Sequence, residues 1–242
     1  MMSRHDLAVT RPWMAEGTTV LFGAVDRLSD GDLRGPGVLP GWTRAHVIGH
    51  VARNAEALGR LAAWARTGVE TPMYADRQQR ATEIEASAAW PAATLRADLT
   101  ATAAALDTAL DALDDAAWKA SVRSAQGRVI PAAEIPWMRV REVWLHAVDL
   151  DAGVGVADLP AGVVDALLDD VTGALSGRDG CPPVRLEPAD RDRGWRLGPD
   201  DADPVVVAAP AADLLAWAAG RDDGARLAAG RGAGVPELPR WL

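Results

Sequence analysis

The sequence holds a single cysteine, Cys181, and a single lysine, Lys119, among its 25 basic residues. One thiol cannot close an internal disulfide, so stability has to come from a packed core, with or without a metal, as a reducing cytoplasm permits. Positive charge is also in deficit. A net charge of -9 argues against a nucleic-acid interface, which needs visible basic clustering. No uncharged apolar stretch reaches the roughly 20 residues of a membrane-spanning helix. The start, Met1-Met2-Ser3-Arg4-His5-Asp6, is polar and leads into no apolar segment of signal-peptide length. The expectation is a cytoplasmic, monomeric protein whose partners are small molecules. What is present is ordinary for a globular chain: 49% hydrophobic and 24% charged residues over 242 positions, enough for one large domain or two small ones.

The first 150 or so residues read as helices. An early helix is expected over about Pro12 to Leu28. Pro40-Gly41-Trp42-Thr43 supplies a turn and an N-cap, Thr43, after which Val47, Ile48, Val51, Ala55, Leu58 and Ala62 recur at helical spacing to about Arg66, where Gly68 stops the run. A further pattern runs from about Pro91 to Trp118 through Leu95, Leu99, Ala103, Leu106, Leu110 and Leu113. A fourth begins near Pro136 and carries Trp137, Val140, Val143, Trp144, Ala147 and Val148. Four amphipathic helices predict a four-helix bundle over residues 1–153. The character then changes. A helix over Pro160–Leu175, strand-like runs at 184–186, 195–197 and 205–207, a helix over Ala211–Ala219 and an extended tail, Pro236–Leu242, predict a small α+β domain over residues 154–242. The fold class is therefore α+β.

The chain has only four histidines. His46 and His50 stand at i and i+4 on the second helix; Glu142 and His146 stand at i and i+4 on the fourth. That spacing puts each pair on one face with Cβ atoms roughly 5–6 Å apart, close enough to share an ion. On a helical wheel His50 lies at the margin of the apolar stripe, beside Leu61, whereas His46 points with Arg53 to the polar side. His50 is thus the inward-facing candidate, and His46 caps a surface or supports the site from outside. The fourth helix is apolar around most of its circumference, with Glu142 and His146 in a narrow polar strip beside Arg139 and Asp149. A buried carboxylate and imidazole need partners, because an uncompensated buried charge costs several kcal/mol or more. A cation shared by His50, Glu142 and His146 would compensate them. Two imidazoles and a carboxylate suit zinc, and three ligands leave a coordination position open for chemistry.

The segment Leu39-Pro40-Gly41-Trp42-Thr43-Arg44-Ala45-His46-Val47-Ile48-Gly49-His50-Val51 resembles the hallmark stretch of the mycothiol-dependent maleylpyruvate isomerase family, whose metal-binding half is a DinB-like helical bundle. Thr67–Tyr74, Trp137–Leu150, Ala219-Gly220-Arg221 and the closing Pro236–Leu242 agree, so the resemblance spans essentially the whole chain. It implies the same three metal ligands. It also implies mycothiol as thiol cofactor and maleylpyruvate as substrate: reversible thiolate addition turns a cis double bond into a rotatable single bond, and elimination leaves the trans isomer, fumarylpyruvate. Two substrate carboxylates call for guanidinium partners. The resemblance points to Arg80 and Arg221. Cys181, in Gly180-Cys181-Pro182-Pro183, reads as a bystander thiol, and Gln126-Gly127 as a turn. Trp42 and Trp144 either line the site or pack the core. The alternatives are a mycothiol S-transferase on the same bundle, a non-catalytic metal-dependent binding module, or a closed structural site with His46 as fourth ligand.

Overall fold

The structure is a computed structural model that describes residues 4–230 and 234–241. Met1–Ser3 of the polar start and Leu242 of the closing segment lie outside the described residues. The chain forms two compact units, Met1–Val154 and Gly155–Leu242.

The first unit contains helices α1 (Leu7–Asp26), α2 (Arg44–Thr67), α3 (Arg77–Ala88), α4 (Ala92–Asp111), α5 (Asp115–Lys119) and α6 (Ile135–Asp149), with a hairpin of β1 (Ser121–Arg123) and β2 (Val129–Pro131) before α6. The four long helices expected from periodicity are α1, α2, α4 and α6. Several boundaries differ. The first helix starts at Leu7 rather than about Pro12, because Asp6 caps it by accepting from the Ala8 amide at 3.0 Å. Pro12 sits inside it beyond the first turn, where it leaves the Ala8 carbonyl without its helical amide donor. The pattern expected to run on to Trp118 breaks at Asp111; Asp114 then accepts from the Ala117 amide at 2.8 Å and caps the short α5. Helix α3 has no counterpart in the sequence reading, since Ile84 is its only large apolar residue.

Helix α2 is the centre of this unit. It packs against α3, α4 and α6, while α6 also packs on α1. Being surrounded, α2 buries more than one stripe. Val47, Ile48, Val51, Leu58 and Leu61 are fully buried, each worth about 1.5–3 kcal/mol of transfer free energy. Arg53, read from the wheel as polar-side, is buried too: it pairs with Asp98 of α4 and lies 5.3 Å over the Trp90 ring. Gly68 ends the helix at φ +72°, a left-handed conformation that glycine adopts without strain.

Between the hairpin and α6 lies Glu134, 3% exposed, which accepts from Arg128 Nη2 at 2.8 Å and pairs with His5 Nε2 at 3.0 Å. Burial alone would raise its pKa, but the His5 hydrogen bond and the charges of Arg4 and Arg128 outweigh it and leave a net lowering. A carboxylate depressed on folding stabilises the native state above its unfolded pKa. That contribution is lost as pH falls through the folded value. Glu134→Gln is therefore expected to destabilise the protein by about 1 kcal/mol at neutral pH, the modest size reflecting its exposed partners. Urea denaturation at pH 7 and below pH 4 should show the variant and the parent converging in acid.

The second unit contains α7 (Ala161–Ser176), β3 (Val184–Pro188), β4 (Trp195–Leu197), β5 (Val205–Ala209), α8 (Ala211–Ala218) and β6 (Ala228–Ala229). The sheet order is β4-β3-β5-β6, with β3 and β5 parallel and the outer strands antiparallel. Strand β3 alternates as a half-buried strand must: Val184 and Leu186 face inward, Arg185 and Glu187 outward. Helices α7 and α8 pack together and on this sheet. The strands expected at 184–186, 195–197 and 205–207 are present. The hairpin β1–β2 and β6 are too short to read from sequence, although Gly127 turns the hairpin at φ +82°. From residue 234 to 241 the tail has no regular secondary structure. Among the described residues, no helix is long and apolar enough to cross a membrane.

Candidate metal centre

Helices α2 and α6 are cross-tied by main-chain contacts before any ligand is considered. Arg139 of α6, 1% exposed, donates from Nη1 to Val51 O at 2.7 Å and to Asn54 Oδ1 at 2.9 Å. Burial draws its pKa down to about 10, against the opposing charges of Glu142, Asp107 and Tyr74, so it stays cationic at neutral pH. At the other end, Arg44 Nε donates to Leu150 O at 2.6 Å and the Val38 amide to Asp149 O at 2.9 Å.

This frame brings His50 against Glu142 and His146, 92 residues away along the chain to Glu142. His50 Nε2 lies 2.9 Å, and His146 Nε2 3.2 Å, from the same atom, Glu142 Oε2. The imidazole rings are perpendicular, with centroids 4.8 Å apart. The candidate ligand atoms of the three residues lie within 4.8 Å of one another. Nδ1 of His146 lies 2.8 Å from Asp149 Oδ2 on its far side. Both histidines are buried, but the Glu142 side chain keeps 19% of its exposure, so the cluster opens on one side.

The electrostatics follow from that geometry. Burial would raise the Glu142 pKa, yet the charges and hydrogen bonds of His50 and His146 hold it well below the usual carboxylate range. Burial lowers His50 more than Glu142 raises it. Burial also works against His146, but hydrogen bonds to Asp149 and Glu142 win and raise it. An ionised carboxylate thus sits between two imidazole nitrogens, a donor set of the type that binds a divalent cation, with zinc's preference for nitrogen and oxygen.

The other sequence candidates separate cleanly. His46 is not in the cluster. Its Nδ1 accepts from the Thr43 amide at 3.1 Å and its Nε2 lies 3.2 Å from Glu85 Oε2, so it caps α2. Arg80, on α3, is at the cluster: Nη2 lies 3.3 Å from His50 Nδ1. Trp42 meets His50 in an edge-to-face arrangement, with centroids 5.4 Å apart, and stacks on His46. Trp144 faces away, donating from Nε1 to Trp13 O of α1 at 3.0 Å. Arg221 belongs to the second unit, just after α8 and Gly220, and donates to Ala219 O at 2.7 Å. Cys181, also in that unit, is a buried free thiol whose pKa burial pushes up. Two residues at the cluster carried no role in the sequence reading. One is Asp149. The other is Tyr74, the single tyrosine, which hydrogen-bonds Arg80 and whose phenol burial pushes up to about 12.

A helical bundle with a half-open His-Glu-His cluster that could hold a metal ion, followed by a small α+β unit, defines a two-unit protein of the bundle type. Residues 14–151 match the family model described as the mycothiol maleylpyruvate isomerase N-terminal domain, and residues 158–240 that of the corresponding C-terminal domain. The chain belongs to the mycothiol-dependent maleylpyruvate isomerase family. It is similar to the crystal structure of the mycothiol-dependent maleylpyruvate isomerase, at 34% identity and a TM-score of 0.94 over 100% of both chains. A histidine-to-alanine mutant of that isomerase is similar to the same degree. No curated protein matches the chain.

Proposed function

We propose that this protein catalyses the mycothiol-dependent cis–trans isomerisation of maleylpyruvate to fumarylpyruvate, with a divalent cation, zinc, held by His50, Glu142 and His146. The observation that carries the reading is the convergence of two imidazole Nε2 atoms on one ionised, half-open carboxylate. Family membership and the likeness to the isomerase over the full chain support the substrate and the thiol. The division of labour follows the two units, with the metal centre in residues 1–153 and a second domain in 154–242.

A bound divalent cation supplies two things here: it favours the thiolate form of a coordinated thiol at neutral pH, and as a Lewis acid it favours the enolate formed by addition. The protein's own residues do the rest. Glu142 contributes one negative charge to the donor set, which leaves a divalent site net positive and attractive to a thiolate. Trp42 walls one side and keeps water from His50. Tyr74 accepts from Arg80 and remains protonated at working pH, so it does not act as a base. Arg80 and Arg221 are the proposed partners of the two substrate carboxylates. The guanidinium of Arg80 can only donate, and it meets His50 Nδ1 favourably when that nitrogen is unprotonated. Were His50 Nε2 to hold the cation, its proton would sit on Nδ1, and the Arg80 guanidinium would be available to an anionic group.

Arg80→Ala is accordingly expected to retain zinc while losing about 10- to 100-fold in kcat/KM for maleylpyruvate, the worth of one charge-assisted hydrogen bond. Metal analysis beside steady-state kinetics checks it. The function itself is tested by following maleylpyruvate loss with mycothiol present, absent, and present after chelation. Turnover without net consumption of thiol supports isomerisation; turnover that consumes thiol with substrate, or persists without thiol, overturns it. The same reading makes the protein a cytoplasmic monomer with small-molecule partners, consistent with its lone cysteine and net charge of -9.

A further inference from the structure

Behind the cluster stands a carboxylate that the proposed chemistry does not use. Asp149 is fully buried at the C-terminal end of α6, and a buried carboxylate is costly unless its partners compensate it. Its Oδ2 is 2.8 Å from His146 Nδ1, on the side of the ring opposite Nε2 and Glu142. A carboxylate there accepts the Nδ1 proton, which leaves the Nε2 lone pair facing the other ligands and makes that nitrogen a better donor. The main chain of the same residue acts on the other helix. Asp149 O accepts from the Val38 amide at 2.9 Å, in the segment that leads through Thr43 into α2 and so to His50. Gly37 allows this approach, since a Cβ there would come within 2.5 Å of Asp149 O. Among the described residues, the neighbour recorded at His50 Nδ1 is Arg80, a donor and not an acceptor. Of the two imidazoles, His146 is the one the fold orients in advance.

We infer that Asp149 is the positioning residue of the metal centre, fixing the tautomer and ring plane of His146 so that Nε2 faces the site shared with Glu142 and His50. The inference rests on the metal reading above, and it is tested on zinc binding rather than turnover. The zinc affinity of the full-length chain is measured by competition with a chromophoric chelator for the parent, Asp149→Asn, His146→Ala, the double variant and His50→Ala. Asp149→Asn should weaken zinc by about 10- to 100-fold. In the His146→Ala background the same change should cost no more than about twofold, because a residue acting through His146 has nothing left to act on. An Asp149→Asn affinity within twofold of the parent, or losses that multiply in the double variant, overturns the inference. If His50→Ala and His146→Ala both leave zinc binding unchanged, the metal reading itself has failed. If Asp149→Asn does not fold, proton NMR of the zinc-loaded parent decides: a slowly exchanging, downfield Nδ1 proton on His146 is expected, and its absence overturns the assignment.

Discussion

His50→Ala is expected to lower zinc affinity by roughly a hundredfold or more and to abolish mycothiol-dependent turnover. A four-ligand structural zinc site is worth on the order of 10–16 kcal/mol, so one ligand carries on the order of 3 kcal/mol, or about two decades in affinity. The lost imidazole is 2.9 Å from Glu142 Oε2, and no neighbouring histidine can replace it. His46 is one turn away, but its Nδ1 is committed to the α2 cap and its Nε2 to Glu85. Glu142→Gln should be as damaging to affinity, because it removes the ionised group around which both imidazoles converge. His46→Ala should leave zinc in place and cost about 1 kcal/mol of stability as a lost cap. Equal loss of zinc in His46→Ala and His50→Ala would defeat the three-ligand assignment and favour a closed structural site.

Trp144→Ala is expected to have the largest effect on stability, about 3–5 kcal/mol, with the midpoint of urea unfolding falling and the slope unchanged. The indole is 1% exposed and fills the contact between α6 and α1. Gly17 of α1 leaves room for it: a Cβ there would come within 2.7 Å of the indole nitrogen. Truncation removes the apolar burial, leaves a cavity, and strips Trp13 O of its donor. Trp42→Ala provides the contrast. That ring touches His50 and His46 at the mouth of the cluster and is only partly buried, so its loss should alter kinetics more than stability. Comparable stability losses in the two variants would mean that Trp42 is a packing residue and not a wall of the site.

The two tryptophans show what a sequence can and cannot separate. Both lie in segments that carry residues of the His-Glu-His cluster, and nothing local distinguishes a ring that faces α1 from one that faces a cluster. The same limit hid α3. Its lone large apolar residue, Ile84, leaves no period to detect, and it is held in place by packing on α2. Arg53 shows the limit from the other side. A wheel assigns a charged residue to solvent, but α4 brings Asp98 to meet it, and paired burial becomes affordable in free energy. Asp149 was visible beside Glu142 and His146 on one strip of α6 but carried no role, whereas Tyr74 lies outside any helix and no period could place it at the cluster.

Backbone periodicity is a short-range property, and the order of the amino acids is enough for whatever depends on it. It fixes the extent of α2 between Thr43 and Gly68, the placing of Glu142 and His146 on one face of α6, and the change from helices to a mixed α+β pattern in the later part of the chain. It also separated His50 from His46, since a wheel records which residues share the buried side. It takes the packed fold to bring His50 to Glu142 from another helix and to deliver Arg80 on a helix with no apolar signature. Those distances are set by how α2, α3 and α6 cross. Crossing is decided by packing along whole helices, through contacts such as Arg139 with Val51 and the close approach at Gly37, rather than by any local pattern around the ligands.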